Sequence, residues 1–344
     1  MSAAPRRITI ADVAERANVS PAAVSKVLRN AYGVSPAMQT RVQEAIAELG
    51  YRPHAAARGM RGQTYTVGVL VPDVRNPFFP ELIEGMVEHL GATNYQVLLG
   101  PGGSEPESQT RSIDAMVDRQ MDGLILIAPI VARRFLEETA RAVPTVVIGR
   151  HGRSADYDAV VDDDQVGAGL VVDHLADLGH LRIAHIEHRY TRRGSPTTMP
   201  QTVRAEGYRN AMERRGLGDY VDVVGSTYTE EGGYTATREL LDRPVRPTAI
   251  FAGADAAAIG TLQAVHEAGL AVPGDISVAG YDNTSIAALG PISLTSVDQD
   301  GHLMGVNAAR MLLERVEGKR ERSALLTLSP TLVPRRSTAP PSTS

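Results

Sequence analysis

The 344-residue sequence contains no cysteine. That excludes a disulfide framework and any thiolate metal site, so stability has to come from burial and packing, as suits a reducing cytosol. No apolar run of signal-peptide length follows the basic residues of MSAAPRRITI, and no stretch reaches the roughly 18 uninterrupted apolar residues of a membrane span. The expectation is a soluble, cytoplasmic protein without membrane contact. Strings that announce common catalytic chemistry are also missing: there is no P-loop, HExxH or GxSxG, and GAGLVV at 167–172 lacks the third glycine of a dinucleotide fingerprint. No cofactor is implied and no enzymatic function is expected. His185 and His188 form an H-x-x-H, but a spacing of three in a strand sends the two side chains to opposite faces, which argues against a metal site.

What is present is 43% hydrophobic content, enough for a sizeable core, in a length that suits two or three compact units. The net charge of −5 is unevenly distributed. Residues 1–62 carry nine Lys and Arg against four acidic residues, a balance of +5, which leaves −10 for the remainder. A basic module on an acidic body fits a chain whose first 60 or so residues meet phosphate while the rest stays clear of it.

Within 9–28, apolar Ile10, Val13, Ala14 and Ala17 fall at i, i+3, i+4 and i+7, one face of a short helix that Thr9 can cap with Asp12 three residues on. Ser20 then serves as a second N-cap with Pro21 at the first helical position, and Val24, Val27 and Leu28 are expected inward. The connector Asn18-Val19-Ser20 is short enough to force a steep crossing, as a helix-turn-helix requires. A third helix begins at Ser35-Pro36, buries Val42, Ile46 and Leu49, and stops at Gly50. The outward positions of the second helix are Pro21, Ala22, Ser25, Lys26 and Arg29, with Lys26 and Arg29 able to reach guanine or phosphate.

Residues 10–28 match I-x-D-V-A-x-x-A-x-V-S-x-x-x-V-S-x-V-L at every fixed position, and so resemble the headpiece of the LacI/GalR family of bacterial transcription regulators. The resemblance implies that Pro21, Ala22 and Lys26 read bases and that Ser20, Ser25 and Asn30 seat the helix on the DNA backbone. Thr9, Arg29 and Tyr51 complete the headpiece set expected at DNA. The following YRPHAAARGMRG (51–62) is similar to the family's hinge, with Ala57 and Met60 at its small and wedge positions. A wedge costs a few kcal/mol of base unstacking, repaid by wider contact with the kinked duplex. His54 where Asn is usual, and Gly59 inside the turn, depart from the pattern. Read without the resemblance, the segment is a flexible linker.

From Tyr65 onward, TVGVLV, YQVLLG, DGLILIA, PTVVIG, RIAHI, PTAIFAG and DISVAGY alternate with helical patterns, as in parallel sheets covered on both faces. The expected fold class is α/β: a small all-α three-helix headpiece (1–50), a linker (51–64), then two doubly wound parallel-sheet lobes (65–338) with a ligand cleft between them. Lobe 1 is expected over 65–162 plus 295–320, lobe 2 over 163–294 plus 321–336, with a disordered tail at 339–344. This stretch resembles the periplasmic-binding-protein-like (type I) sensor of the same family through VGVLVPDVRNPFFPELIEGM, LGHLRIAHI, the run 249–283 and LTSVDQD.

The resemblance implies cleft residues Asn76, Phe78, Phe79, Arg204, Tyr228, Asp255 and Asp282, a set suited to a sugar-like effector: carboxylates accept hydroxyl hydrogens, the guanidinium donates in a fork and a ring covers an apolar face. Duller roles stand beside these. Asp255 could cap the helix beginning there, Phe78 and Phe79 could be core with one facing the cleft, and Arg204 could pair with Glu206 or another acid. The family implies double-stranded operator DNA and a second copy of the chain as partners. A dimer is favoured over a tetramer because the tail after Val333 shows no heptad repeat. The rival readings are an exported receptor of the same fold and an enzyme acting in the cleft, neither of which accounts for residues 9–60.

Overall fold

The computed structural model describes residues 8–28, 32–51, 63–189 and 198–342. The chain divides into two compact units, Met1–Thr64 and Tyr65–Ser344. Among the expected DNA contacts, Arg29, Asn30, Ala57 and Met60 lie outside the described residues.

In the smaller unit, helices α1 (Ile10–Ala17), α2 (Pro21–Leu28) and α3 (Pro36–Leu49) enclose one apolar cluster. Thr9 and Asp12 form a capping box on α1, the Ser20 hydroxyl accepts from the Ala23 N–H at 3.1 Å on α2, and Ser35 caps α3. Gly50 ends α3 at φ 62°, a left-handed conformation that glycine adopts without a Cβ clash.

The larger unit runs β1 (Thr66–Val71), α4 (Phe78–Leu90), β2 (Gln96–Pro101), α5 (Pro106–Asp118), β3 (Gly123–Ile127), α6 (Arg133–Ala142), β4 (Thr145–Ile148) and β5 (Asp158–Asp162). It continues through α7 (Asp164–Asp177), β6 (Ile183–His188), α8 (Pro200–Arg214), β7 (Asp222–Ser226), α9 (Glu230–Leu241), β8 (Ala249–Ala252), α10 (Asp255–Glu267) and β9 (Ser277–Tyr281). It ends with β10 (Thr295–Asp298), α11 (Gly301–Val316), β11 (Leu325–Leu328) and β12 (Thr331–Val333). The strands form two six-stranded sheets, in the orders β11-β5-β4-β3-β1-β2 and β12-β10-β9-β8-β6-β7. All pairs are parallel except β10 with β12.

Strand periodicity fills both faces of each sheet. On β1, Val67, Val69 and Val71 join the cluster under α4 and α11, while Leu70 joins the one on the opposite face. On the second sheet, Ile186, Ile250 and Val278 pack one way and Ile183, Phe251 and Ala279 the other. Each such fully buried aliphatic side chain stabilises the fold by roughly 1.5–3 kcal/mol relative to exposure.

The expected lobe boundaries need correction. Residues 295–298 pair with β9 and belong to the second lobe, whereas 325–328 pair with β5 and belong to the first. A short apolar run shows that a strand exists but not which neighbour takes its hydrogen bonds, so both crossings were displaced by one strand. The expected disordered tail is also corrected over 339–342. The Ala339 N–H donates to Ser277 Oγ at 3.0 Å, and its carbonyl lies 2.9 Å from His180 Nε2. No helix among the described residues is long and apolar enough to cross a membrane.

Candidate functional site

Two regions can contact ligands. On the small unit, Thr9, Ser20, Pro21, Ala22 and Lys26 are exposed, so α2 offers a face with small residues in its first turn and the Lys26 cation in its last. Two expected contacts are elsewhere. Ser25 is only 6% exposed and Tyr51 only 7%, the latter packed into the three-helix core. Leu28, expected inward, is 39% exposed. Helix α2 packs against both α1 and α3, so its buried arc covers Val24, Ser25 and Val27 and is turned from the stripe that spacing alone suggests.

In the large unit, the segments after the carboxyl ends of the strands of both sheets meet around a cavity of about 650 Å³. This is where open α/β sheets bind ligands, because strand order reverses beside β1 and β6 and the following loops diverge. Asn76, Phe78 and Phe79 come after β1, Tyr228 after β7 and Asp282 after β9, and all line the cavity together with Arg204 of α8. Phe78 is both core and lining, at 8% exposure, and Phe79 packs partly buried beside it with ring centroids 6.0 Å apart. Both rings reach the cavity, where one was expected.

Arg204 organises the polar wall. Its Nε and Nη2 donate to Asp164 Oδ1 at 2.9 and 2.6 Å, Nη1 donates to the Gly253 carbonyl, and the guanidinium carbon sits 3.4 Å from the Tyr281 ring centroid. The alternative partner Glu206 is not the one used. Asp164 Oδ2 in turn lies 2.7 Å from His151 Nε2 on the β4–β5 connection, which ties the second lobe to the first. The Tyr281 hydroxyl donates to Asp162 Oδ2 at 2.6 Å, a second tie of this kind. Burial, and then the neighbouring Asp164 charge, push the Asp162 carboxyl up to about 7. Burial also holds Asp282 well above the usual carboxylate range, against the opposing pull of Arg204. Asp282 accepts from Gln299 Nε2 at 2.7 Å and sits at φ 111°, a strained backbone of the kind that clusters at functional sites.

Asp255 does not line this cavity. Its carboxylate accepts from the Thr284 N–H and hydroxyl at 2.7 and 2.9 Å and from Ser296 Oγ at 2.6 Å, so it fastens the segments flanking β9 and β10. It borders instead a smaller recess of about 300 Å³. Helix α10 begins at Asp255 with Ala254 as a cap that makes no side-chain bond, so the capping alternative is not realised either.

His185 is buried between Tyr208 and Phe251, where burial lowers it to about 3, whereas His188 lines the cavity and is lowered to about 4 by burial. No local pattern marks Asp162 or Gln201, which line the cavity, or Asp164 behind them. Gly253 is required by close approach, because a Cβ there would lie 2.0 Å from the Tyr228 hydroxyl.

Residues 9–54 match the bacterial regulatory proteins of the lacI family, and residues 172–338 match a periplasmic binding protein-like domain. The ribose operon repressor of Escherichia coli (strain K12) is 35% identical over 334 residues, covering 96% of this chain and 99% of that protein. A LacI family transcriptional regulator from Enterococcus faecium with bound ribose has 30% identity and a TM-score of 0.71, over 80% of this chain and 99% of the other. The lac repressor dimer bound to operator and the anti-inducer ONPF superposes with a TM-score of 0.79 over 97% of this chain and 100% of the other, at 24% identity, a likeness of fold.

Proposed function

The chain belongs to the lacI family of bacterial regulatory proteins, and from that premise we propose that it is a repressor that binds a palindromic operator as a homodimer and responds to a ribose-like sugar between its lobes. Family membership makes it a DNA-binding transcription regulator that responds to a small molecule. The observation that carries the finer reading is the placement of Asp282 and Arg204 on one side of the 650 Å³ cavity and Phe79 on the other. A pentose needs acceptors and donors for its hydroxyls and an apolar surface for its ring face, and this arrangement provides both. A related regulator that has been solved with ribose supports the choice.

The homodimer is supported by the dimeric state of the lac repressor on its operator and by apolar surface that a second copy would cover, with Leu98 at 45%, Leu99 at 53% and Val87 at 51% exposure. Operator reading falls to α2, where Pro21 and Ala22 leave few hydrogen bonds and Lys26 reaches furthest. The reading takes the chain to be a regulator rather than an enzyme, acting in the cytoplasm where its operator is.

Effector control follows from ties between the lobes, among them His151 to Asp164 and Tyr281 to Asp162. A sugar contacting both walls favours one lobe arrangement. Only a difference in its affinity for the DNA-bound and free states moves the equilibrium, and DNA must alter sugar affinity by the same factor. The test is a fluorescence-anisotropy titration of the full chain on a palindromic duplex selected from random sequence, with and without D-ribose. Release from DNA supports an inducible repressor; an isotherm unmoved by saturating D-ribose contradicts the proposed effector class.

A further inference from the structure

The cavity has a polar group that neither the sequence pattern nor the internal bonding of the site accounts for. Gln201 stands on the first turn of α8, three residues before Arg204 and so on the same helix face, and it lines the cavity. The residue is 7% exposed, its amide nitrogen is shielded from solvent, and no described residue accepts from it. The charged groups of the cavity wall are engaged, Arg204 with Asp164 and Gly253, Asp282 with Gln299, and Asp162 with Tyr281, while the Tyr228 hydroxyl is, like the Gln201 amide, buried without a partner among the described residues.

The position is also a junction. The His151 N–H donates to the Thr198 carbonyl at 2.7 Å, and a Cβ on Gly149 would lie 3.5 Å from Pro200, so the start of α8 abuts the β4–β5 connection of the first lobe. A buried donor without an acceptor is destabilising, because its desolvation is not repaid by a hydrogen bond. That cost falls on the ligand-free protein, and an oxygen supplied from the cavity removes it.

We propose that Gln201 is a specificity-determining residue of the cleft, its amide donating to one oxygen of the effector and so rejecting sugars that lack that oxygen. The inference rests on the sugar reading above and adds which group discriminates. A site built to hydrogen-bond a substrate oxygen penalises the analogue lacking it far more than an apolar pocket penalises a missing methylene, because the protein's own polar group is then left unpaired. Gln201 is a cavity residue for which this penalty is already present without ligand, and the Tyr228 hydroxyl is another.

The test is calorimetric titration of the full chain with D-ribose and with its 1-, 2-, 3- and 5-deoxy analogues, for the wild type, Gln201→Met and Gln201→Glu. The wild type is expected to prefer D-ribose over one deoxy analogue by at least tenfold. Gln201→Met, which keeps length but cannot hydrogen-bond, should bring that one ratio close to unity and leave the other three in place. Its ligand-free melting temperature should be unchanged or higher, since the orphaned donor is gone; a merely structural glutamine would give a lower one. Gln201→Glu should weaken D-ribose binding without restoring the lost discrimination. Ratios that are unchanged in both variants, or that all shrink together with the melting temperature, overturn the inference alone. Absence of D-ribose binding to the wild type overturns the sugar reading and the inference with it.

Discussion

The two lobes of the larger unit have equivalent strand order for their first five strands and face each other with the same ends of their sheets, yet they bring different chemistry to the cavity. The first contributes the large apolar side chains Phe78, Phe79, Ile127, Ile148 and Met304 beside polar groups such as Asn76, Gln109 and Asp162; the second contributes Arg204, Asp282, Gln201, His188 and Tyr228. Apolar contact is non-directional and scales with area, whereas a buried hydrogen bond is lost outright when its partner is missing. The large apolar side chains, all from the first lobe, therefore supply affinity for anything of suitable shape, and the polar groups, concentrated in the second around Arg204, supply selectivity. Equivalent topology does not mean equivalent function, because the fold fixes only where the strand ends fall.

The contrast can be broken most severely at Arg204. Arg204→Ala strands the buried Asp164 carboxylate without its cation, and the loss should be about 3–5 kcal/mol, typical of breaking a buried pair from one side. A urea melt monitored by circular dichroism reads it, and a midpoint within error of wild type would show that the pair is dispensable. On the opposite wall, Phe79→Ala should weaken D-ribose and all its deoxy analogues by a common factor on the order of tenfold, the effect of lost apolar contact. If its effect differed from one analogue to another, the division between area and selectivity would fail.

The smallest expected effect is a pH dependence across the lobe boundary. Asp162, pushed up to about 7, keeps its proton in the folded chain where an unfolded aspartate near 3.9 has lost it. Its contribution to stability is complete below the unfolded value and is lost as pH rises through the folded one. The melting temperature of the ligand-free chain should therefore fall by a few degrees between pH 5 and pH 8, and Asp162→Asn should flatten that fall. An equal slope in the variant would assign the dependence to other groups, Asp255 first among them, whose buried carboxyl is raised to about 6.

Much of this architecture is written locally. The run TVGVLV and its counterparts are mostly apolar, as strands covered on both faces are, and the caps at Thr9, Ser20 and Ser35 mark the helices of the small unit at their observed starts. Partner choice is not written there, which is why β10 and β11 were each assigned to the wrong lobe. Within the cavity, Asp282 and the two phenylalanines were reached through a family resemblance. The triplet Asp162-Asp163-Asp164 carries no signal of its own, since three consecutive acids read as a solvated turn. The structure separates them: Asp163 caps α7 through the Val166 N–H, while Asp162 and Asp164 turn inward to Tyr281 and Arg204. Ser25 is buried because a helix wedged between two others buries a wider arc than its apolar stripe indicates, and Tyr51, just past the end of α3, joins the same cluster.

The central claim is that the polar wall of the second lobe holds a sugar. Calorimetric titration of D-ribose into the full chain and into its Asp282→Ala variant tests it most directly. The account predicts saturable binding to the wild type and at least a hundredfold weaker binding to the variant, with the Phe79 wall intact in both. Equal affinity in the two proteins, or no binding to the wild type, would contradict it.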